Sequence, residues 1–283
     1  MDKLAMTTSK ARGKHGIGLT ADALELCEEL QIPVIDRQNK GIPKLMEMHQ
    51  LDCLLVEEDD ELIAHWTDGG HFTYHPGMAV PRMKQLKDGE PEMLVQVAGI
   101  RPGDRILDCT MGMASDAVVI AFAAGETGHV TSLESSPLIY AITRYGLKHW
   151  PTGSWRMKEA MGRIQPVHTD YEDYLAELTG NGAEQQYDII YFDPMFERPV
   201  MESSGIAPLR REANYAPLTQ DALERARRAA KRRVVVKHRA GTLQSLTFDE
   251  ILGGRYSAIA YGVLYADRNN RNNRSDDKGG ENL

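Results

Sequence analysis

From about residue 101 onward, apolar runs of strand length alternate with segments whose apolar positions recur at helical spacing. The runs are RILDCT, HVTSLES, RIQPVHT, YDIIYFD, RRVVVKH and YSAIAYGVLYA, and the spacing between them predicts helices over 115–124, 137–149, 171–178 and 219–231. These strands are continuously apolar, as expected when helices cover both faces of a largely parallel sheet. Before residue 95 the pattern is different. TADALELCEEL at 20–30 predicts an amphipathic helix with Thr20 as N-cap, IPVI and DCLLVEE read as short strands, and a hairpin precedes HPGMAVPRMKQL. We therefore expect an α/β chain: a small N-terminal α+β cap over 1–95, a wound sheet over 96–266, and a disordered tail over 267–283.

Composition adds limits. At 283 residues, with 42% hydrophobic and 26% charged positions, the chain matches an ordinary globular protein rather than a collagenous or membrane-embedded one. No stretch reaches the roughly 18 apolar residues of a spanning helix, and MDKLAMTTSKARGKHG lacks the apolar run of a signal peptide. We expect a cytoplasmic protein with no membrane partner. Cys27, Cys53 and Cys109 lie too far apart for a disulfide framework or a CxxC motif, and read as reduced interior thiols. The net charge of -8 argues against a nucleic-acid partner until its distribution is examined: residues 198–239 carry +7 and the remainder -15. A polyanion partner stays open.

The first βα turn of such a sheet usually carries the cofactor loop. Here it is DCTMGMASD, with Asp108 ending the strand, Thr110 and Gly112 in the turn, and Ser115 or Asp116 opening the helix. Gly112 lets backbone approach a ligand because no Cβ intervenes. The loop is not G-x-G-x-x-G, and Asp108 and Asp116 would repel a pyrophosphate. They suit a cationic ligand such as S-adenosylmethionine (SAM). Glu134, at the end of the second run, can accept both ribose hydroxyls, a geometry shared by nicotinamide and SAM binders.

The run YDIIYFD ends in Asp193, followed by Pro194, Met195 and Phe196. Proline holds the preceding residue extended and supplies no N–H, so the strand stops and Asp193 projects at the sheet's carboxyl edge. D-P-x-F resembles the (N/D/S)-P-P-(Y/F/W) motif of methyltransferases that modify exocyclic amines of bases. Asp193 and the Pro194 carbonyl can accept the two N–H bonds of such an amine, and Phe196 can stack on the base.

Taken together, residues 72–239 resemble the ribosomal RNA small subunit methyltransferase J family. The resemblance rests on LDCTMGMASDAVVIA at 107–121, the acidic residue of LES, DPMF at 193–196 and RRVVVK at 232–237. It implies a Rossmann-like class I SAM-dependent methyltransferase fold with a seven-stranded, mostly parallel sheet ending in an antiparallel hairpin. It also implies methylation of guanine N2 in small-subunit ribosomal RNA, and SAM contacts at Ser115, Asp116, Glu134, Ser135, Asp170, Tyr171 and Asp193. Three positions depart from the family: Ala114 stands where it has the loop's second glycine, Ser115 where it has arginine, and Asp170 and Tyr171 where it has a serine pair.

Arg210 and Arg211, in the long loop after Phe196, are the candidate phosphate contacts, with Lys237 and His75 as further substrate residues. His65, His71 and His75 lie within eleven residues but lack other ligands at metal spacing, so no metal is expected. Two other readings stand beside the methyltransferase: an RNA-binding assembly factor with a degenerate SAM pocket, and a nicotinamide oxidoreductase. The second leaves DPMF without a task.

Overall fold

The computed structural model describes residues 3–10, 18–180, 185–194, 216–241, 246–254 and 257–266. They form two sheets. The smaller has the order β1 (Leu4–Thr8), β2 (Cys53–Glu58), β3 (Glu61–Trp66) and β4 (His71–Thr73). β1 runs parallel to β2, and the other pairs are antiparallel. Asp59 and Asp60 both adopt positive φ between β2 and β3, the two-residue turn that matches strand twist in a hairpin. Helix α1 (Ala21–Leu30) starts where expected, with the Thr20 hydroxyl accepting the Ala23 N–H at 3.3 Å.

The larger sheet has seven strands, as the resemblance implied. β5 (Arg105–Asp108), β6 (His129–Glu134), β7 (Ile164–His168), β8 (Tyr187–Phe192) and β9 (Ala230–Arg239) are parallel. β11 (Ile259–Tyr265) lies antiparallel to β9, and β10 (Glu250–Gly253) antiparallel to β11. The order is β10-β11-β9-β8-β5-β6-β7. Alternate residues serve opposite faces. Ile189 and Tyr191 of β8 join the core formed with α5 (Ser115–Ala124), α6 (Pro137–His149) and α7 (Trp155–Gly162). Ile190 and Phe192 join the layer formed with α8 (Tyr171–Gly180) and α9 (Gln220–Ala229), as does Tyr187, across the register shift that precedes Ile189.

Helices α3 (Ala79–Lys87) and α4 (Met93–Ala98) connect the two sheets, and one buried core runs from Met6 through Tyr261. The smaller sheet and α1 are moored to α6. Fully buried Glu57 accepts the Tyr145 hydroxyl at 2.7 Å and both the N–H and hydroxyl of Thr20. Arg144 pairs with Glu25 and Glu29, and Lys148 and His149 reach Asp22 at 2.6 and 2.8 Å. Gly146 is required here, since a Cβ would stand 2.0 Å from the Tyr74 ring.

Some expectations need correction. The helix expected over 219–231 ends at Ala229, because Ala230 already enters β9 opposite Tyr187. IPVI contributes only a bridge between Val34 and Met6. The sequence reading missed β1, α4, α7, β10 and α2 (Ile42–His49). The expected tail lies outside the described residues.

Candidate functional site

Strand order reverses at β5, which has β6 on one side and β8 on the other, and the carboxyl ends of β5 and β8 bound the crevice expected at such a switch point. Asp108 is buried there. It accepts the Thr110 N–H and the Ser132 hydroxyl, each at 3.1 Å, which fixes the turn after β5. Burial, reinforced by Asp116 and Asp193, pushes its carboxyl up to about 7. Asp108 therefore braces the loop from within rather than offering a bare charge to a ligand.

Asp116 is committed in a different way. It accepts the Tyr191 hydroxyl at 2.6 Å and Lys237 Nζ at 2.7 Å, and pairs with Arg82. Burial opposes its ionisation, yet Lys237 and Arg82 outweigh that and hold the carboxyl well below the usual carboxylate range. The expectation that Asp108 and Asp116 present acidity directly to a cation is thus modified: both side chains already have partners inside the fold.

Gly112 adopts φ +50°, and a Cβ built on it meets nothing within 4 Å. Its N–H donates to Glu134 at 3.0 Å, and its carbonyl accepts the Thr143 hydroxyl at 2.7 Å. Ala114 also has positive φ, at 56°, a conformation costing an L-residue with a Cβ roughly 1–2 kcal/mol, which is why glycine suits this place. Glu134 accepts the Ser136 N–H at 2.8 Å as well, and burial raises its carboxyl above the usual glutamate range. The Ser135 N–H bonds this carboxylate as well, and since a carboxylate has about four acceptor sites, Glu134 keeps one for a ribose hydroxyl. The open space over Gly112 and the remaining acceptor site of Glu134 fit a nucleoside cofactor. Gly112→Ala should fold with about 1–2 kcal/mol of strain yet bind SAM at least about tenfold more weakly, because its methyl enters this space. Calorimetry beside thermal unfolding checks this; unaltered affinity would move the ligand elsewhere.

The other expected cofactor residues divide. Ser135 follows Glu134, and its carbonyl lies 3.2 Å from His168 Nε2. Asp170 is half-buried and accepts the Glu172 N–H at 2.8 Å at the start of α8. The Tyr171 ring instead packs edge-on against Phe192, at 5.5 Å between centroids, so this side chain belongs to the apolar layer. Ser115 opens α5 beside Gly77, where a Cβ would lie 3.4 Å from the Ser115 hydroxyl. His75, two residues earlier, is exposed; it accepts the Gly77 N–H at 3.0 Å and meets Trp150 edge-on. It does not join His65 and His71, whose rings lie 6.3 Å apart.

Asp193 follows β8 at the crevice. Its N–H donates to the Thr110 hydroxyl at 2.6 Å, tying it to the turn after β5, and its Oδ2 accepts Lys237 Nζ at 2.7 Å. Burial raises its carboxyl to about 6, against the lowering influence of Lys237. Pro194 comes next, while Phe196, Arg210 and Arg211 lie outside the described residues. The sequence reading missed Arg82, Glu92, Tyr191 and Thr143. Only Tyr191 had a signal, since residues two apart on a strand share a face with Asp193.

This strand order, with its glycine turn after β5 and acidic residue ending β6, defines a class I SAM-dependent methyltransferase. A family model described as "Putative SAM-dependent methyltransferase" matches residues 45–249. A Bacillus subtilis relative, YpiP, named as uncharacterized, is 37% identical over 233 residues, covering 82% of this chain and 87% of its own. Proteins named ribosomal RNA small subunit methyltransferase J match from Psychrobacter cryohalolentis (29% identity, 68% of this chain, 61% of that one) and Saccharophagus degradans (24%, 76% and 81%). The fold is shared with a SAM-dependent methyltransferase from Neisseria gonorrhoeae, with TM-score 0.62 and 16% identity over 99% of this chain and all of that one. The chain belongs to this family of SAM-dependent methyltransferases, and the resemblance seen in its motifs recurs among named relatives. The oxidoreductase and non-catalytic readings are set aside. Among the described residues, no helix is long and apolar enough to cross a membrane.

Proposed function

We propose that the enzyme methylates an exocyclic amine of a base in structured RNA, with guanine N2 of small-subunit ribosomal RNA as the preferred target. The observation carrying this reading is Asp193, an acceptor at the crevice directly ahead of Pro194 and tied through Thr110 to the turn that fits the cofactor. When bound, SAM supplies a methyl group on a positively charged sulfur that leaves as a neutral thioether. An amine conjugated with a base ring is a poor nucleophile, so positioning and charge stabilisation must carry the catalysis. Asp193 and the Pro194 carbonyl accept the amine's N–H bonds, and these bonds strengthen as positive charge develops on nitrogen. Asp193 then takes the surplus proton.

The relatives named ribosomal RNA small subunit methyltransferase J support RNA as the substrate class. We read the N-terminal sheet with its helices as the cap that grips it. Mass spectrometry of nucleosides from small-subunit RNA of a strain lacking this protein should show one methylated nucleoside lost, restored by the gene. Purified enzyme with labelled SAM should return that methyl to the RNA. Unchanged nucleosides with no transfer to any RNA would overturn the reading.

A further inference from the structure

We infer that Lys237 is a positioning residue for the acceptor amine: its ammonium, seated between Asp116 and Asp193, anchors Asp193 through Oδ2 and keeps it charged, so that Oδ1 is presented to the substrate. This inference rests on the proposed function of Asp193. The sequence reading made Lys237 a substrate contact. In the fold, its Nζ lies 2.7 Å from Asp116 Oδ2 and 2.7 Å from Asp193 Oδ2, with its side chain only 20% exposed. Lys237 donates to the Asp193 carboxyl through Oδ2, and the Asp116 carboxyl lies within side-chain interaction range of it.

Charge balance explains why the lysine is needed. Arg82 spans Glu92 and Asp116, drawing α3 and α4 into the same network, and Tyr191 donates to Asp116 from β8, the strand that Asp193 follows. The described charged and titratable groups around Asp193 are Lys237 on β9, Asp116 on α5, Asp108 on β5, Tyr191 on β8 and Tyr261 on β11, with Arg82 and Glu92 behind. Without Lys237, two largely buried carboxylates would face each other, and Asp193 would take up a proton before the amine arrived. A neutral Asp193 cannot receive the proton that nitrogen releases as its bond to the methyl forms. With Lys237 in place, Asp193 begins as the anion, becomes the neutral acid after transfer and returns its proton to solvent, while the ammonium keeps its three hydrogens.

The test pairs two substitutions of opposite sign. Lys237→Met should move the acid limb of the methyl-transfer pH profile upward. Activity should fall about tenfold or more at pH 7 and recover as pH rises. Lys237→Arg keeps the charge and should hold the limb near that of the parent. Asp116→Asn removes the competing carboxylate and should move the limb downward. A substrate-free readout comes from the full chain labelled with carbon-13 at aspartate carboxyls, with the Asp193 signal assigned by its loss in Asp193→Asn. Its titration midpoint should shift in the same two directions.

If Lys237→Met does not fold, Lys237→Gln and Asp116→Asn carry the same comparison. A loss of activity that no pH restores, or an Asp193 midpoint unmoved when Lys237 is replaced, would overturn the role assigned to this lysine. If the parent enzyme methylates no RNA, the proposed function falls, and the carboxyl titration still decides the part played by Lys237.

Discussion

Asp193→Ala is expected to slow methyl transfer by about 10²–10³-fold, the usual effect of removing one preorganised polar group from a transition state, while SAM affinity changes by less than about tenfold. Under the proposed function the rate suffers because the substitution removes the acceptor that would orient the amine and collect its proton. The fold should tolerate it: Lys237 keeps Asp116 as a partner, so no buried ammonium is stranded, and the Asp193 N–H still reaches the Thr110 hydroxyl. Single-turnover transfer with labelled SAM, alongside calorimetry, separates the two quantities. Transfer at the parent's rate would remove Asp193 from the chemistry, and a collapse in SAM affinity would recast it as a cofactor residue.

The second large effect is expected at Glu134. Glu134→Ala should weaken SAM binding about 10- to 100-fold, because a ribose hydroxyl loses a charged acceptor and a hydrogen bond to a charged group contributes about 1.5–3 kcal/mol. It also orphans the N–H groups of Gly112 and Ser136, loosening the turn that approaches the ligand. Acidification should partly mimic the substitution. Burial raises the Glu134 carboxyl above the ordinary glutamate range, so its anion is lost at a higher pH than an exposed glutamate's as the solution is acidified. SAM affinity should therefore fall on acidification in the parent and much less in Glu134→Ala. Calorimetry across pH decides, and equal affinity in parent and variant would place the ribose away from Glu134.

The sequence revealed the elements whose apolar faces are wide. Helices over 115–124 and 137–149 were read at their observed bounds because nearly every turn buries an apolar residue. The missed elements bury little or are held by pairing. Helix Ile42–His49 buries only Leu45 and Met46, and β1 is short and ends in two threonines, Thr7 and Thr8, that the parallel pairing with β2 places inside. At the site, contiguous motifs were legible because one turn or strand end carries them. Asp108, Gly112 and Glu134 came from the loop and the second strand, and Asp193 from its proline. The charged network was not, since Arg82 lies 34 positions before its partner Asp116 and Lys237 lies 121 after it. Only the folded sheet brings those side chains together.

The mooring of the N-terminal sheet has a metric consequence. Tyr145 holds β2, and Tyr140, Arg144 and His149 hold α1, along α6, whose opening residue Pro137 follows directly from the Glu134–Ser136 bend. Thirteen residues of helix measure roughly 20 Å. Under the proposed function this rod acts as a ruler between the RNA that the cap would grip and the ribose that Glu134 would hold, so reach is built into helix length rather than into a loop.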